Sequence, residues 1–484
     1  METSMFRLTR RDLIAGLGGA IAATGIGGRL EARAADAALL RVVKRNIEVM
    51  GKSASVYAIE NSSGGHGLDV VLGDPFRVRL ENHSNSETLV HWHGLTPPSG
   101  QDGVPMLSQA PLQPGQAYDY DFPLTKSGTH WMHSHFGLQE QQMLAAPLIV
   151  RETAEPVFDE QEHVVLLHDF TFRDPAEILA ELKGGGGAHA GHAGMESMEG
   201  MDHTKMAADD DMGGAMLNDV VFDAYLANDR TLDDPEVVKV EKGGQVRLRI
   251  INAAAASNMW IDTGTLQAEL IAVDGHAVHP VGHTFFPLAI AQRADLRLRI
   301  PSEGGAFPIM FRPEGVAGRA GIILATAGAT VMKQFGVGLA PPPLDLSFER
   351  RLRAVAQLPQ EPVTRSEVLM LTGGGADYLW GFNGKPSMHE TLMTVRQGER
   401  LEVMMHNMTS MAHPMHLHGH YFKVTAIGGQ RFDGAVRDTV LVPPMESVTI
   451  MFDADNPGTW AFHCHHLYHM NSGMMGTLAY SSPA

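Results

Sequence analysis

Apolar and polar residues alternate in short runs along this chain. Phe76-Arg77-Val78-Arg79-Leu80 and Val246-Arg247-Leu248-Arg249-Ile250 show the pattern most plainly. A period of two places successive side chains on opposite faces, which predicts strands with one face in a core. Further β-rich runs at Val70 to Leu72, Leu296 to Ile300 and Val448 to Phe452 are separated by Gly, Pro, Asn and Asp. The chain is therefore expected to be all-β, folded as antiparallel sandwiches or barrels. Helical periodicity is rare, and Pro175 to Leu182 is its best instance. Residues 184–216 carry no apolar period and much Gly, which predicts a flexible insertion.

The alternating runs belong to a repeat. Gly73 to Asn82, Gly243 to Asn252 and Gly398 to Asn407 each contain a turn glycine, a strand and an Asn nine positions after the Gly. A fixed spacing found three times implies three copies of one domain. A second echo links the first and third copies: Gly128 to His135 aligns with Gly458 to His465, and Ser134 falls where Cys464 falls. The corresponding stretch of the middle copy, Gly304 to Phe311, has no His. The expected domains are 35–155, 156–340 with the insertion, and 341–484, the middle one a spacer without metal ligands.

Composition narrows the chemistry. The 484 residues are 44% hydrophobic and 19% charged, an ordinary globular balance, and the net charge of −18 disfavours nucleic acid or an anionic membrane as partner. There are 28 Met and 25 His but one Cys, so no intramolecular disulfide can form. Thr9-Arg10-Arg11-Asp12-Leu13-Ile14 precedes a short apolar run, and Ala32-Arg33-Ala34 offers a cleavage site. Residues 1–34 thus read as a twin-arginine export signal, with the mature chain in the periplasm and no stable membrane insertion.

Four H-x-H pairs carry the candidate chemistry: His91/His93, His133/His135, His416/His418 and His463/His465. Two His flanking one residue of a strand point the same way, so the four pairs supply eight imidazoles, enough for three coppers shared between domains. Cys464 must then face the opposite side, where His413, His469 and Met474 are within reach. One thiolate, two imidazoles and a weak axial thioether make a blue-copper site.

At these motifs the chain resembles the laccase-type multicopper oxidases, closest in character to bacterial copper-resistance oxidases. The likeness rests on HWHG at 91–94, HSH at 133–135, HPMHLHGH at 413–420 and HCHHLYHMNSGM at 463–474, and spans the mature chain. It implies three cupredoxin-like Greek-key domains and four Cu ions. By this resemblance His91 and His416 hold type 2 copper. His93, His133 and His465 hold one type 3 copper; His135, His418 and His463 hold the other. His413, Cys464 and His469 hold type 1 copper with Met474 axial; Met475 is the neighbouring alternative, and motif spacing favours Met474. Electrons cross Cys464 and a flanking His463 or His465 to reduce O2 to water. Asp102 resembles the family's proton-delivering acid; the alternative is a plain Asp-Gly turn at Asp102-Gly103, which the sequence favours locally. Met470 stands where copper-efflux oxidases commonly carry a second acid.

The reductant is left open between Cu(I) and phenols. His189, His192, Met195, Met198, Met201, His203, Met206, Met212 and Met216 of the insertion are soft ligands suited to Cu(I), or accidents of a linker. Met408, Met411, Met415, Met470 and Met475 form a second candidate cluster, or fill core space. The preferred reading is a copper-tolerance oxidase; the alternatives are a general laccase for phenols or aromatic amines, and a copper-binding protein without turnover.

Overall fold

The computed structural model describes residues 37–481, apart from 154–158, 185–216 and positions 357, 360 and 389. The export-signal reading and the nine proposed insertion ligands lie outside the described residues. Among the described residues, no helix is long and apolar enough to cross a membrane.

Each copy of the repeat builds two sheets. In the first, Lys52–Asn61, Ala38–Val49, Pro75–Asn82 and Ala117–Pro123 lie side by side, and Leu68–Val71, Ala145–Arg151, Gly128–Ser134 and Val90–His93 form the other sheet. The second copy has sheets of six and five strands, and the third sheets of seven and five. Three apolar clusters fill them, centred on residues such as Phe76 and Trp92, Phe286 and Phe311, and Phe382 and Phe422.

The repeated strand occupies the same place each time. Pro75–Asn82, Gln245–Asn252 and Arg400–Asn407 each run parallel to the strand that opens their copy and antiparallel to a later one. The terminal Asn explains the fixed spacing. Asn82 Nδ2 donates to the carbonyls of Ser86 and Leu112, both at 2.8 Å. Asn252 does the same to Ser257 and Leu288, and Asn407 to Met411 and Val442. Each Oδ1 also accepts the backbone N–H two residues on. These Asn residues have no exposed surface, so the loop after the strand is fastened inside the domain. In the first and third copies that loop leads directly into the strands that carry His91 and His413.

The helix Pro175–Lys183 forms as the pattern predicts: Pro175 opens it and Asp174 accepts the N–H of Ala176 at 2.8 Å.

Candidate metal centre

Two strand pairs of the same design meet between the first and third copies. Val90–His93 pairs antiparallel with Gly128–Ser134, setting His91 opposite His133. His413–Leu417 pairs antiparallel with Thr459–Cys464, setting His416 opposite His463 and Met415 opposite Cys464. Alternation sends the histidines of both pairs to one interface. All eight imidazoles come together there, none more than 7% exposed.

Their nitrogens converge in groups. His465 Nε2 lies 3.3 Å from His133 Nε2, and His463 Nε2 lies 2.9 Å from His418 Nε2 and 3.3 Å from His135 Nε2. Ligand atoms of His93, His133 and His465 fall within 4.8 Å of one another, as do those of His135, His418 and His463, and those of His91, His93 and His416. The rings' outward nitrogens are held. His91 Nδ1 donates to the Asp102 carbonyl and His416 Nδ1 to the Asp438 carbonyl, each at 2.8 Å. His93 reverses the pattern, giving Nε2 to Asp438 Oδ1 at 3.1 Å. A carbonyl or carboxylate only accepts, so these contacts fix the tautomer and leave the inward nitrogen as a bare lone pair. His91 Nε2, His416 Nε2 and His93 Nδ1 are buried without any hydrogen-bond partner. Burial pushes His93, His133, His135, His416, His418 and His465 well below the usual histidine range, and His463 to about 4. The rings are neutral near pH 7. Inward lone pairs on neutral imidazoles fit metal ions.

The opposite face of Thr459–Cys464 carries the second centre. Cys464 Sγ lies 3.6 Å from His413 Nδ1 and 3.8 Å from His469 Nδ1, and the two nitrogens are 3.2 Å apart. His413 Nε2 meets Thr409 Oγ1 at 2.8 Å, and His469 Nε2 meets Asp219 Oδ2 at 3.3 Å. Trp380 stacks on His469 with centroids 4.1 Å apart. Met474 is fully buried in the same apolar cluster as Cys464, whereas Met475 pairs with His463 in the sheet and joins a different cluster. Burial pushes the Cys464 thiol up, so a metal-free site keeps its proton. The other methionines divide: Met408 is 50% exposed, while Met411, Met415, Met470 and Met475 sit in core clusters.

Asp102 is 2% exposed and spans the two histidine sets. Its Oδ2 accepts from His418 Nδ1 at 2.8 Å and its Oδ1 lies 3.3 Å from His91 Nδ1. The Asp-Gly turn is present as well. Gly103 has φ +84, and a Cβ there would overlap the carbonyl of Val90. Turn and site use the same two residues.

Several residues at the centre carry no motif. Asp438 holds His93 and His416 and is paired with Arg293 of the middle copy, whose Nη1 donates to Asp438 Oδ1 at 2.7 Å and whose Nε donates to the Thr129 carbonyl at 3.2 Å. Burial opposes the charge on Asp438, but the guanidinium outweighs it and holds the carboxyl below its ordinary value. The middle copy is thus more than a spacer, because Arg293 joins all three copies beside the histidines. Glu140 lies 2.9 Å from His133 Nδ1, and burial and the charge of Asp169 push its carboxyl well up. Asp219, just past the insertion, also meets His466 Nε2 at 3.2 Å. For Glu140 the one available signal was its place five residues after His135.

Comparison with known proteins gives this geometry its context. Sequence profiles described as multicopper oxidase match residues 41–155, 162–333 and 360–483. The multicopper oxidase MmcO of Mycobacterium tuberculosis is 30% identical over 447 residues, covering 90% of this chain and 85% of that protein. The chain belongs to the multicopper oxidase family. It is accordingly an oxidase with copper cofactors that passes electrons from a reducing substrate to O2, built from cupredoxin-like domains. Copper resistance protein A of Escherichia coli is 26% identical, covering 90% of this chain and 91% of that protein. The fold matches that of Fet3p, a multicopper oxidase that functions in iron import, with a TM-score of 0.74 at 18% identity over 92% of this chain and 90% of that one.

Proposed function

We propose that this oxidase takes electrons from Cu(I), with phenols as further reductants, and serves copper tolerance in the periplasm after twin-arginine export. The domains are 35–155, 156–340 and 341–484. Four coppers would be held: type 1 by His413, Cys464, His469 and Met474, type 2 by His91 and His416, and the type 3 pair by His93, His133 and His465 and by His135, His418 and His463. Bound copper supplies one-electron chemistry at the first centre and four-electron reduction of O2 to water at the other three.

The protein's own residues do the rest. One observation carries the reading: Cys464 Sγ turns to His413 and His469 while the flanking His463 and His465 turn to the other histidines. Two centres are thereby joined through one residue and its neighbours. Asp102 touches rings of both histidine sets and is placed to hold a proton for O2 reduction. Burial of every ligand keeps bulk water from the cluster and strengthens local electrostatics.

Cu(I) is favoured by the soft ligands of 184–216 and by likeness to proteins named for copper resistance. Likeness to fungal laccases supports phenols as a second class. The test is oxidation of Cu(I) and of dimethoxyphenol, with O2 uptake, in the intact protein and in a variant lacking 184–216. Selective loss of cuprous activity is expected; unchanged kinetics for both substrates would remove the insertion from the mechanism.

A further inference from the structure

Met408 differs from the other methionines of the third copy in staying outside the core, 50% exposed. It follows the repeated strand Arg400–Asn407, in which Leu401, Val403, Met405 and Asn407 are buried while Glu402, Met404 and His406 are half-buried. Alternation therefore turns Met404 and His406 outward, and Met408 continues the same face. Its backbone stays in the ladder, with the Met408 N–H donating to the Leu371 carbonyl at 2.9 Å. The neighbouring strand Arg365–Gly374 sets Met370, also half-buried, directly opposite His406. Paired strands lie about 4.8 Å apart, and same-face residues of one strand about 6.6 Å apart. His406 is thus flanked by thioethers on three sides: Met404 and Met408 along its own strand, and Met370 across from it. Among the described residues, the His406 ring makes no hydrogen bond or ion pair.

The other two copies fill these four positions differently. Counted from the terminal Asn and its partner strand, they hold Arg41, Arg79, Glu81 and His83 in the first copy. Those side chains form an ionic set: Glu81 meets Arg79 at 3.1 Å, His83 at 2.8 Å and Arg41 at 3.9 Å. In the second copy the positions hold Leu166, Arg249, Ile251 and Ala253, none more than 9% exposed. One face of one repeated strand is therefore an ion-pair network, a buried contact and, in the third copy alone, an open set of soft donors. Strand propensity does not account for that set, since methionine is not among the residues enriched in strands. Core packing does not either, because the side chains face outward.

We propose that Met370, Met404, His406 and Met408 form a binding site for Cu(I) on the outer face of the third copy. Thioethers select the soft monovalent ion, and an imidazole completes the donor set. The site is separate from both buried histidine centres and from residues 184–216. Its place suits an electron donor. Thr409 follows Met408, and its Oγ1 meets His413 Nε2 at 2.8 Å. One electron passes from the bound Cu(I) by way of Met408 and Thr409 toward His413; the ion leaves as Cu(II), and O2 is the final acceptor. The inference rests on the cuprous reading above and gives it residues within the described fold.

The test uses Ag(I), a redox-silent stand-in for Cu(I), titrated into the copper-loaded full chain. Met404→Leu with Met408→Leu removes two thioethers at nearly constant shape, and Met370→Leu removes one from the neighbouring strand. Both variants should keep the visible blue band, lose one tightly bound Ag(I) relative to wild type, and show a raised KM for Cu(I). Should the double variant lose its blue band, M370L decides alone. Equal Ag(I) binding in wild type and M370L would overturn the site. Loss of Ag(I) with an unchanged KM for Cu(I) would overturn its role as the electron entry. Wild-type protein that binds Ag(I) here but oxidises no Cu(I) would keep the site and sink the cuprous reading instead.

Discussion

His133-Ser134-His135 and His463-Cys464-His465 sit at matching places in the first and third domains, and they differ in what lies behind them. In both, the strand turns two imidazoles to the shared interface and the middle residue to its own domain. The first ring is held alike in each: His133 Nδ1 meets the Ser134 carbonyl at 3.1 Å, and His463 Nδ1 meets the Cys464 carbonyl at 2.9 Å. Behind Ser134, however, stands Gln139, whereas behind Cys464 stand His413 and His469. The front of the motif is generic and the back is specific. A second metal centre needs the thiol together with two imidazoles, one from the start of the strand His413–Leu417 and one from the short helix Leu467–Met470 of the third domain.

The sharpest way to break the comparison is Cys464→Ser, which makes the two motifs alike. Visible blue colour and substrate turnover should both fall to background while the eight interface histidines still bind copper, as metal analysis and absorption spectra will show. Next in size is Asp438→Ala, which takes the nearest carboxylate from the buried Arg293 guanidinium beside His93 and leaves it the longer 3.8 Å pair with Asp274. Breaking such a pair costs about 3–5 kcal/mol, measurable by chemical denaturation, and copper at the position served by His93 should be lost with it, since the His416 ring keeps its bond to the backbone carbonyl.

Acid should act on the fold through its buried imidazoles, one of them in the second motif. His168 and His420 are held to about 4 from an ordinary 6.5, and His463 behaves likewise. Between those values the unfolded chain binds protons that the folded chain refuses, so stability falls as pH drops from about 6.5 to about 4. Each such ring removes about 1.4 kcal/mol per pH unit across that window in metal-free protein. Melting that is flat over this range would contradict the neutral, buried state of these rings.

Ser134 offers a smaller test. Ser134→Ala removes the 2.8 Å bond to Gln139 and the 3.0 Å bond from the Phe136 N–H, a loss of about 1–2 kcal/mol. Ser134→Cys should create no second blue band, because Gln139 occupies the place of the imidazoles. Smallest in its effect on the fold is Met474→Leu, a near-isosteric change costing under about 1.5 kcal/mol. The blue band should survive, with a shifted reduction potential by voltammetry.

The strands, the repeat and the H-x-H faces were legible because each follows from a short-range period. The terminal Asn of the repeat was legible as a pattern, but its work as a loop fastener was not, since its acceptors lie as far as 36 residues away. The outward partners of the rings were hidden for the same reason. His93 meets Asp438 across 345 residues, and His418 meets Asp102 across 316. No period in the sequence connects such residues. Asp102 could be suspected from resemblance, but Asp438, Arg293 and Glu140 had no motif to announce them. The nearest sign for Glu140 was its place five residues after His135, in a stretch that proves to be buried.

The fastening Asn has a consequence for how such a molecule can change over generations. Asn252 makes the same three bonds to the backbone as Asn82 and Asn407, although no histidine-bearing strand follows it. A duplicated domain can therefore shed its metal ligands and still fold, because its strand-to-loop joint never depended on them. Its inner surface carries Arg293, whose charge reaches a histidine cluster contributed by the first and third copies.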